Sequence, residues 1–138
     1  MVLVDTSVWI RFLAGREPFA SGLDELLGRD EVVGHEMVFG ELLIGDIGGG
    51  RRNLLETYVQ MHQSNTVAHR EVVEFVRVRR LFARGVGWMD VSILASAVVG
   101  GFQMWTADPR FFTLADELRV AYSPARPWSA QSTTRRNW

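Results

Sequence analysis

The chain has 138 residues, 47% of them hydrophobic and 22% charged, with a formal net charge of −1, the profile of one globular domain able to bury a core. It contains no cysteine, which excludes disulfide frameworks, thiolate metal sites and cysteine nucleophiles. All 15 basic residues are arginine, so chemistry that needs a lysine, as in P-loop NTPases and receiver domains, is excluded too.

Read in chain order, residues 1–5 are a short apolar run that predicts a buried strand, and Thr6 or Ser7 is placed to cap the helix that follows. Gly15 to Pro18 reads as a turn, Phe19 to Leu27 as a helix, Val32-Val33 as a strand, and His35 to Ile44 as a helix that ends at Gly45. After the break at Gly48-Gly49-Gly50, a helix is expected from Arg51 to about Met61, a strand at Asn65 to Ala68, and a helix from Arg70 to Ala83. Asp90 to Val99 is apolar nearly all round and predicts a buried helix. A strand at Gln103 to Thr106, a helix at Phe111 to Leu118 and a last strand at Val120 to Tyr122 complete the pattern. Short strands alternating with helices predict an α/β domain over residues 1–124, followed by a polar tail over residues 125–138. No apolar run reaches the roughly 18 residues of a bilayer-spanning helix and no basic signal segment opens the chain, so a cytoplasmic location without membrane contact is expected.

Four acidic residues stand where apolar segments begin, end or continue: Asp5, Glu41, Asp90 and Asp108. Each has an ordinary explanation. Asp5 and Asp108 suit helix capping, the latter followed by Pro109; Asp90 suits a helix N-terminus; Glu41 suits the solvent side of an amphipathic helix. Brought together, however, they are an oxygen-rich set suited to a hard divalent cation, Mg²⁺ or Mn²⁺. Asp5 and Asp108 follow predicted strands, and ligands of parallel α/β sheets bind beyond the strands' carboxyl ends.

Val4-Asp5-Thr6-Ser7, Gly40-Glu41-Leu42, Trp88-Met89-Asp90-Val91-Ser92-Ile93-Leu94-Ala95 and Met104-Trp105-Thr106-Ala107-Asp108, in this order and spacing, resemble the PIN-domain ribonucleases, and most closely the VapC-type toxins of bacterial toxin–antitoxin pairs. The resemblance runs from Val2 to about Tyr122. It implies a three-layer α/β/α fold with a short, mostly parallel central sheet. It also implies a Mg²⁺- or Mn²⁺-dependent endoribonuclease leaving a 5′-phosphate and a 3′-hydroxyl, with Asp5, Glu41, Asp90 and Asp108 as catalytic metal ligands and Thr6, Ser7 and Thr106 as supporting polar residues. A VapB-like antitoxin and a homodimer belong to the same expectation. The alternatives are a PIN nuclease of RNA maturation or decay, and a nucleic-acid-binding module without catalysis; the complete acidic quartet argues against the second. A haloacid-dehalogenase-like phosphatase is disfavoured, because Ser7 stands where its second aspartate is required.

Acidic centres repel RNA, so basic groups must compensate. Arg77, Arg80 and Arg84 fall at i, i+3 and i+7 and predict one basic helix face; Arg51, Arg52 and Arg110 are further candidates. Trp9, Trp88 and Trp105 are expected mainly in core packing, with base stacking as the alternative. His35, His62 and His69 are expected in packing or at the surface rather than in catalysis.

Overall fold

The computed structural model describes residues 1–124. The elements are β1 (Val2–Val4), α1 (Thr6–Leu13), α2 (Phe19–Gly28), β2 (Val32–Gly34), α3 (Glu36–Ile44), α4 (Arg51–Tyr58), β3 (His62–Gln63), α5 (His69–Arg79), α6 (Trp88–Gly100), β4 (Gln103–Trp105) and α7 (Pro109–Glu117). The strands pair in the order β3-β2-β1-β4, every pair parallel, and helices enclose the sheet as a three-layer α/β/α fold. All residues of β1 and β2 are buried, which is why these strands are continuous apolar runs rather than alternating ones.

α6 carries the centre of the core. Val91 to Ala97 are buried without a break, so this helix has no solvent face along most of its length. It ends at Gly101, whose φ of 74° allows Phe102 N–H to reach back to the Ala97 carbonyl at 2.9 Å. Helices pack in sequence pairs, α1 on α2, α3 on α4 and α5 on α6. Where α3 begins, His35 is fully buried. Its Nδ1 accepts the Met37 N–H at 3.1 Å, and its Nε2 stands 3.0 Å from Ser96 Oγ of α6. Because Nδ1 accepts, the proton lies on Nε2, and burial holds the ring's pKa below the usual histidine value. His35 is thus a neutral helix cap that ties α3 to α6.

Three expected elements differ. No strand forms at Asn65 to Ala68; the edge strand is β3, one turn earlier, paired Val33↔His62 and Gly34↔Gln63. Both its residues are exposed and polar, so backbone pairing rather than apolar pattern defines it. Val120 to Tyr122 is reduced to a single parallel bridge, Met104↔Ala121. The helix expected to run to Ala83 stops at Arg79. Arg80 turns left-handed at φ 57°, ψ 49°, while Arg80 N–H bonds the Arg77 carbonyl at 3.4 Å and Leu81 N–H the Val76 carbonyl at 3.0 Å. This reverse turn lets Leu81 bury itself at 5% exposure, a packing gain that outweighs the strain of a left-handed arginine. The expected polar tail, residues 125–138, lies outside the described residues.

Candidate active site

The chain runs from β1 outward through β2 to β3, then returns to place β4 on the other side of β1. The strand order therefore switches direction between β1 and β4, and both strands deliver residues to the same end of the sheet. Asp5 leaves β1 there, and Thr106 leaves β4 beside it, with Asp5 N–H bonded to the Trp105 carbonyl at 2.9 Å.

Asp5 occupies the N-cap position of α1, yet its carboxylate makes no capping hydrogen bond. Capping therefore does not account for it. Instead Ser7 Oγ donates to Asp5 Oδ2 at 2.6 Å and Thr106 Oγ1 donates to the same oxygen at 3.0 Å. Ser7 Oγ in turn accepts the Ala107 N–H at 3.0 Å, and Thr106 Oγ1 accepts the Asp108 N–H at 3.1 Å. The two hydroxyls thus lock the strand ends together while fixing one carboxylate, which is only 5% exposed. Among the described residues no arginine forms a salt bridge with Asp5, Glu41, Asp90 or Asp108.

The other three carboxylates arrive from different helices. Glu41 is exposed on α3 and accepts a hydrogen bond from Thr6 Oγ1 at 2.5 Å. Asp90 sits in the first turn of α6, half-buried. Asp108 caps α7 by accepting the Arg110 N–H at 2.9 Å, and Pro109 opens that helix. Asp90 registers the whole cluster: burial pushes its carboxyl up from 3.8 to about 6, with the charges of Asp5, Glu41 and Asp108 each adding to the rise. A helix N-terminus favours a carboxylate, so a rise there means that burial and like charge outweigh the helix dipole.

The donor set fits a hard divalent cation. It consists of carboxylate and hydroxyl oxygens, and it includes a buried carboxylate without a cationic partner, which is costly unless a cation is bound. Among the described residues no three acidic or histidine side chains are yet closed around one point. Glu41 is held by Thr6 and Asp108 by its own cap.

Residues 2–117 match the family model described as PIN domain. The chain is 42% identical over 122 residues to Ribonuclease VapC32 of two Mycobacterium tuberculosis strains, CDC 1551 / Oshkosh and ATCC 25618 / H37Rv, covering 88% of this chain and 95% of each relative. The chain is a VapC-type member of the PIN-domain family. Its fold is similar to the crystal structure of PAE2754 from Pyrobaculum aerophilum, with a TM-score of 0.57 and 17% identity over 88% of this chain and 87% of that one.

Around the acidic centre of this PIN domain, the expected arginine face is corrected. Arg77 lies on α5, Arg80 forms the left-handed turn after it, and Arg84 lies in the loop beyond, so the three share no helix face. Arg84 instead grips Glu117 of α7 with both nitrogens, at 3.1 and 2.6 Å. Arg110 is exposed as the second residue of α7, and its guanidinium packs against Gly85: a Cβ built there would stand 2.7 Å from Nη1. Gly85, which reads in the sequence only as a break, thus leaves the space that the Arg110 guanidinium occupies. Trp9 and Trp105 are buried at 1% and 2%, as expected of core residues, whereas Trp88 is 44% exposed two positions before Asp90, with its ring against His69.

Proposed function

We propose that this PIN domain is a metal-dependent endoribonuclease acting as the toxin of a VapBC-type pair in the cytoplasm, with Asp5, Glu41, Asp90 and Asp108 as the catalytic carboxylates. What supports the reading is the buried carboxylate of Asp5, fixed by Ser7 and Thr106 at the joined ends of β1 and β4 without a cationic partner among the described residues. Beside it is Asp90, whose carboxyl is raised by burial and then by the charges of Asp5, Glu41 and Asp108. Asp5, Asp90, Asp108 and Glu41 are the residues that would hold Mg²⁺ or Mn²⁺, which supplies Lewis acidity towards a phosphodiester and makes water a better nucleophile. The protein contributes fixed geometry. Ser7 and Thr106 donate their hydroxyls to Asp5 and each accepts a backbone N–H, so both hold that carboxylate in place. In this reading water is the nucleophile, displacing a 3′-hydroxyl and leaving a 5′-phosphate.

Arg110, two positions after Asp108, and the exposed Trp88, two positions before Asp90, suit an RNA strand at the centre, through phosphate contact and base stacking respectively. Arg77 and Arg80 remain exposed basic groups, and Arg84 is the weakest candidate because Glu117 already holds it. For the antitoxin, an apolar groove lies between α1, α2 and α4, lined by Trp9, Phe12, Leu13, Leu27 and Leu54. The indole N–H of Trp9 in its floor has no hydrogen-bond partner among the described residues. An amphipathic segment of the partner suits such a groove.

The test is cleavage of a mixed-sequence single-stranded RNA by the full chain. Asp5→Asn and Asp90→Asn are each expected to lower the rate by more than about 100-fold with folding intact, and excess EDTA to abolish it reversibly. Undiminished cleavage in EDTA or in either variant would overturn the reading.

A further inference from the structure

Beside Asp108 opens a cavity of about 420 Å³ walled by aromatic rings. Thr106 and Asp108 form its inner edge, which makes it continuous with the carboxylate centre. Trp105 backs it. Phe19 stacks on the Trp105 ring at 6.0 Å and 26°, and Tyr122 meets the same ring edge-on at 5.2 Å. The Arg11 guanidinium lies over Phe19 at 5.7 Å and is anchored by Nη1 to the Ser7 carbonyl at 2.9 Å. These contacts hold the walls rigid.

Phe112 lines the same cavity and has no comparable support. Its neighbour Phe111 is fully buried in the core, whereas Phe112 is half-buried and belongs neither to the core cluster nor to the side chains packed against it. An aromatic ring without a packing role at the edge of a polar centre has the character of a binding group. Among the described residues Asp108 is the only charged one in the lining, so the cavity they form disfavours phosphate and favours a flat, neutral ring.

We infer that this cavity is a base subsite: it takes one unpaired nucleobase of the RNA, next to the bond being cut, stacked on Phe112. The inference rests on the carboxylate centre cleaving RNA. A strand whose phosphate lies at Asp108 places an adjacent base at the cavity mouth, and entry requires that base to leave its own stack. Loops and single strands are therefore accepted and continuous duplex is refused.

The full chain carrying Asp90→Asn, which binds without cutting, is titrated with a short unstructured oligoribonucleotide carrying the fluorescent purine analogue 2-aminopurine at successive positions. Quenching is expected at one position, abolished by adding Phe112→Ala and kept by Phe112→Tyr. Affinity should fall roughly five- to a hundredfold with Phe112→Ala. An abasic nucleotide at the quenched position should reproduce that loss in the parent and add nothing in Phe112→Ala. Phe112→Leu keeps an apolar side chain without the ring and gives the same answer if alanine disturbs folding. If no position is quenched, or Phe112→Ala leaves affinity unchanged while the native chain still cuts RNA, the subsite is wrong; the nuclease reading then stands. If the native chain neither binds nor cuts the RNA, both readings fall.

Discussion

A carboxylate that is 5% exposed and held by two hydroxyls is grouped with three other carboxylates, and burial together with their mutual repulsion favours a proton on Asp90. The titration of Asp90 gives a sign that is easily checked. Its carboxyl is raised from 3.8 to about 6 in the folded protein, so the folded state holds the proton more tightly than the unfolded chain does. Asp90's contribution to metal-free stability is therefore greatest below pH ~4, falls as pH rises towards ~6, and stays low above that. After allowance for solvent screening the loss is on the order of 1–2 kcal/mol. Denaturant melts of the metal-free protein across this range should show the decline, and Asp90→Asn should flatten it and raise stability at neutral pH. A decline of equal size in Asp90→Asn would assign it elsewhere. Tyr58 offers a contrasting residue. Its hydroxyl accepts the buried His35 N–H at 2.8 Å, and burial pushes its own pKa well above the usual tyrosine value. Tyr58→Phe should lower stability by about 1–3 kcal/mol, read from the same melts, with RNA cleavage unchanged.

At the level of elements, the loop between α5 and α6 decides where the basic groups lie. Gly85 has φ 78° and leaves room for the Arg110 guanidinium, so Gly85→Ala both strains the loop and displaces the arginine. Arg110→Ala should weaken RNA binding and lower the salt dependence by about one unit of slope. Gly85→Ala should produce much of the same effect although it carries no charge; RNA affinity unchanged in Gly85→Ala would remove the positioning role. This loop also marks the limit of what could be read from the chain. The strands β1, β2 and β4 and the buried α6 were legible because apolar runs and glycine breaks follow directly from burial and backbone freedom. The carboxylates were legible because acidic residues at strand ends and helix starts stand out against apolar neighbours. The end of α5 was not, because the residue that turns left-handed is Arg80 rather than glycine, and the reason it does so is the burial of Leu81, a tertiary effect. β3 was hidden for the opposite reason, being two exposed polar residues recruited by backbone pairing alone. Helical spacing placed Arg84 on a face; an ion pair with Glu117, 33 residues later, holds it in a loop.

For the molecule as a whole, the described surface leaves Leu43 and Ile44 at the end of α3 exposed at 44% and 87%, close in sequence to Glu41. We propose that they pair with a second copy, which would bring two acidic centres near each other. Light scattering at micromolar concentration should give a dimer mass, and Ile44→Asp should shift it to the monomer; a monomeric native chain would count against the pairing. Neither of those residues lines the apolar groove between α1, α2 and α4, which we propose for the antitoxin. Expressing the chain alone should arrest growth, and co-expressing the protein encoded beside it should restore growth. Leu13→Asp in the groove should weaken that rescue while leaving RNA cleavage intact. Harmless expression of a demonstrably active enzyme would favour a role in RNA maturation or decay.

The bond from Thr106 to Asp5 joins residues 101 positions apart, and both strand ends are needed to form the centre. During synthesis, Asp5 leaves the ribosome many seconds before Thr106 and Asp108, at the usual ~5–20 residues per second. A nascent or prematurely terminated chain holds Asp5 and Glu41 but neither Asp108 nor the Thr106 hydroxyl that anchors Asp5 to the second half, so its centre is incomplete. Translation thus imposes its own delay on the danger this chain represents. An inhibitor that recognises α1, α2 and α4, all made earlier, can be in place on the ribosome before the first complete active centre exists.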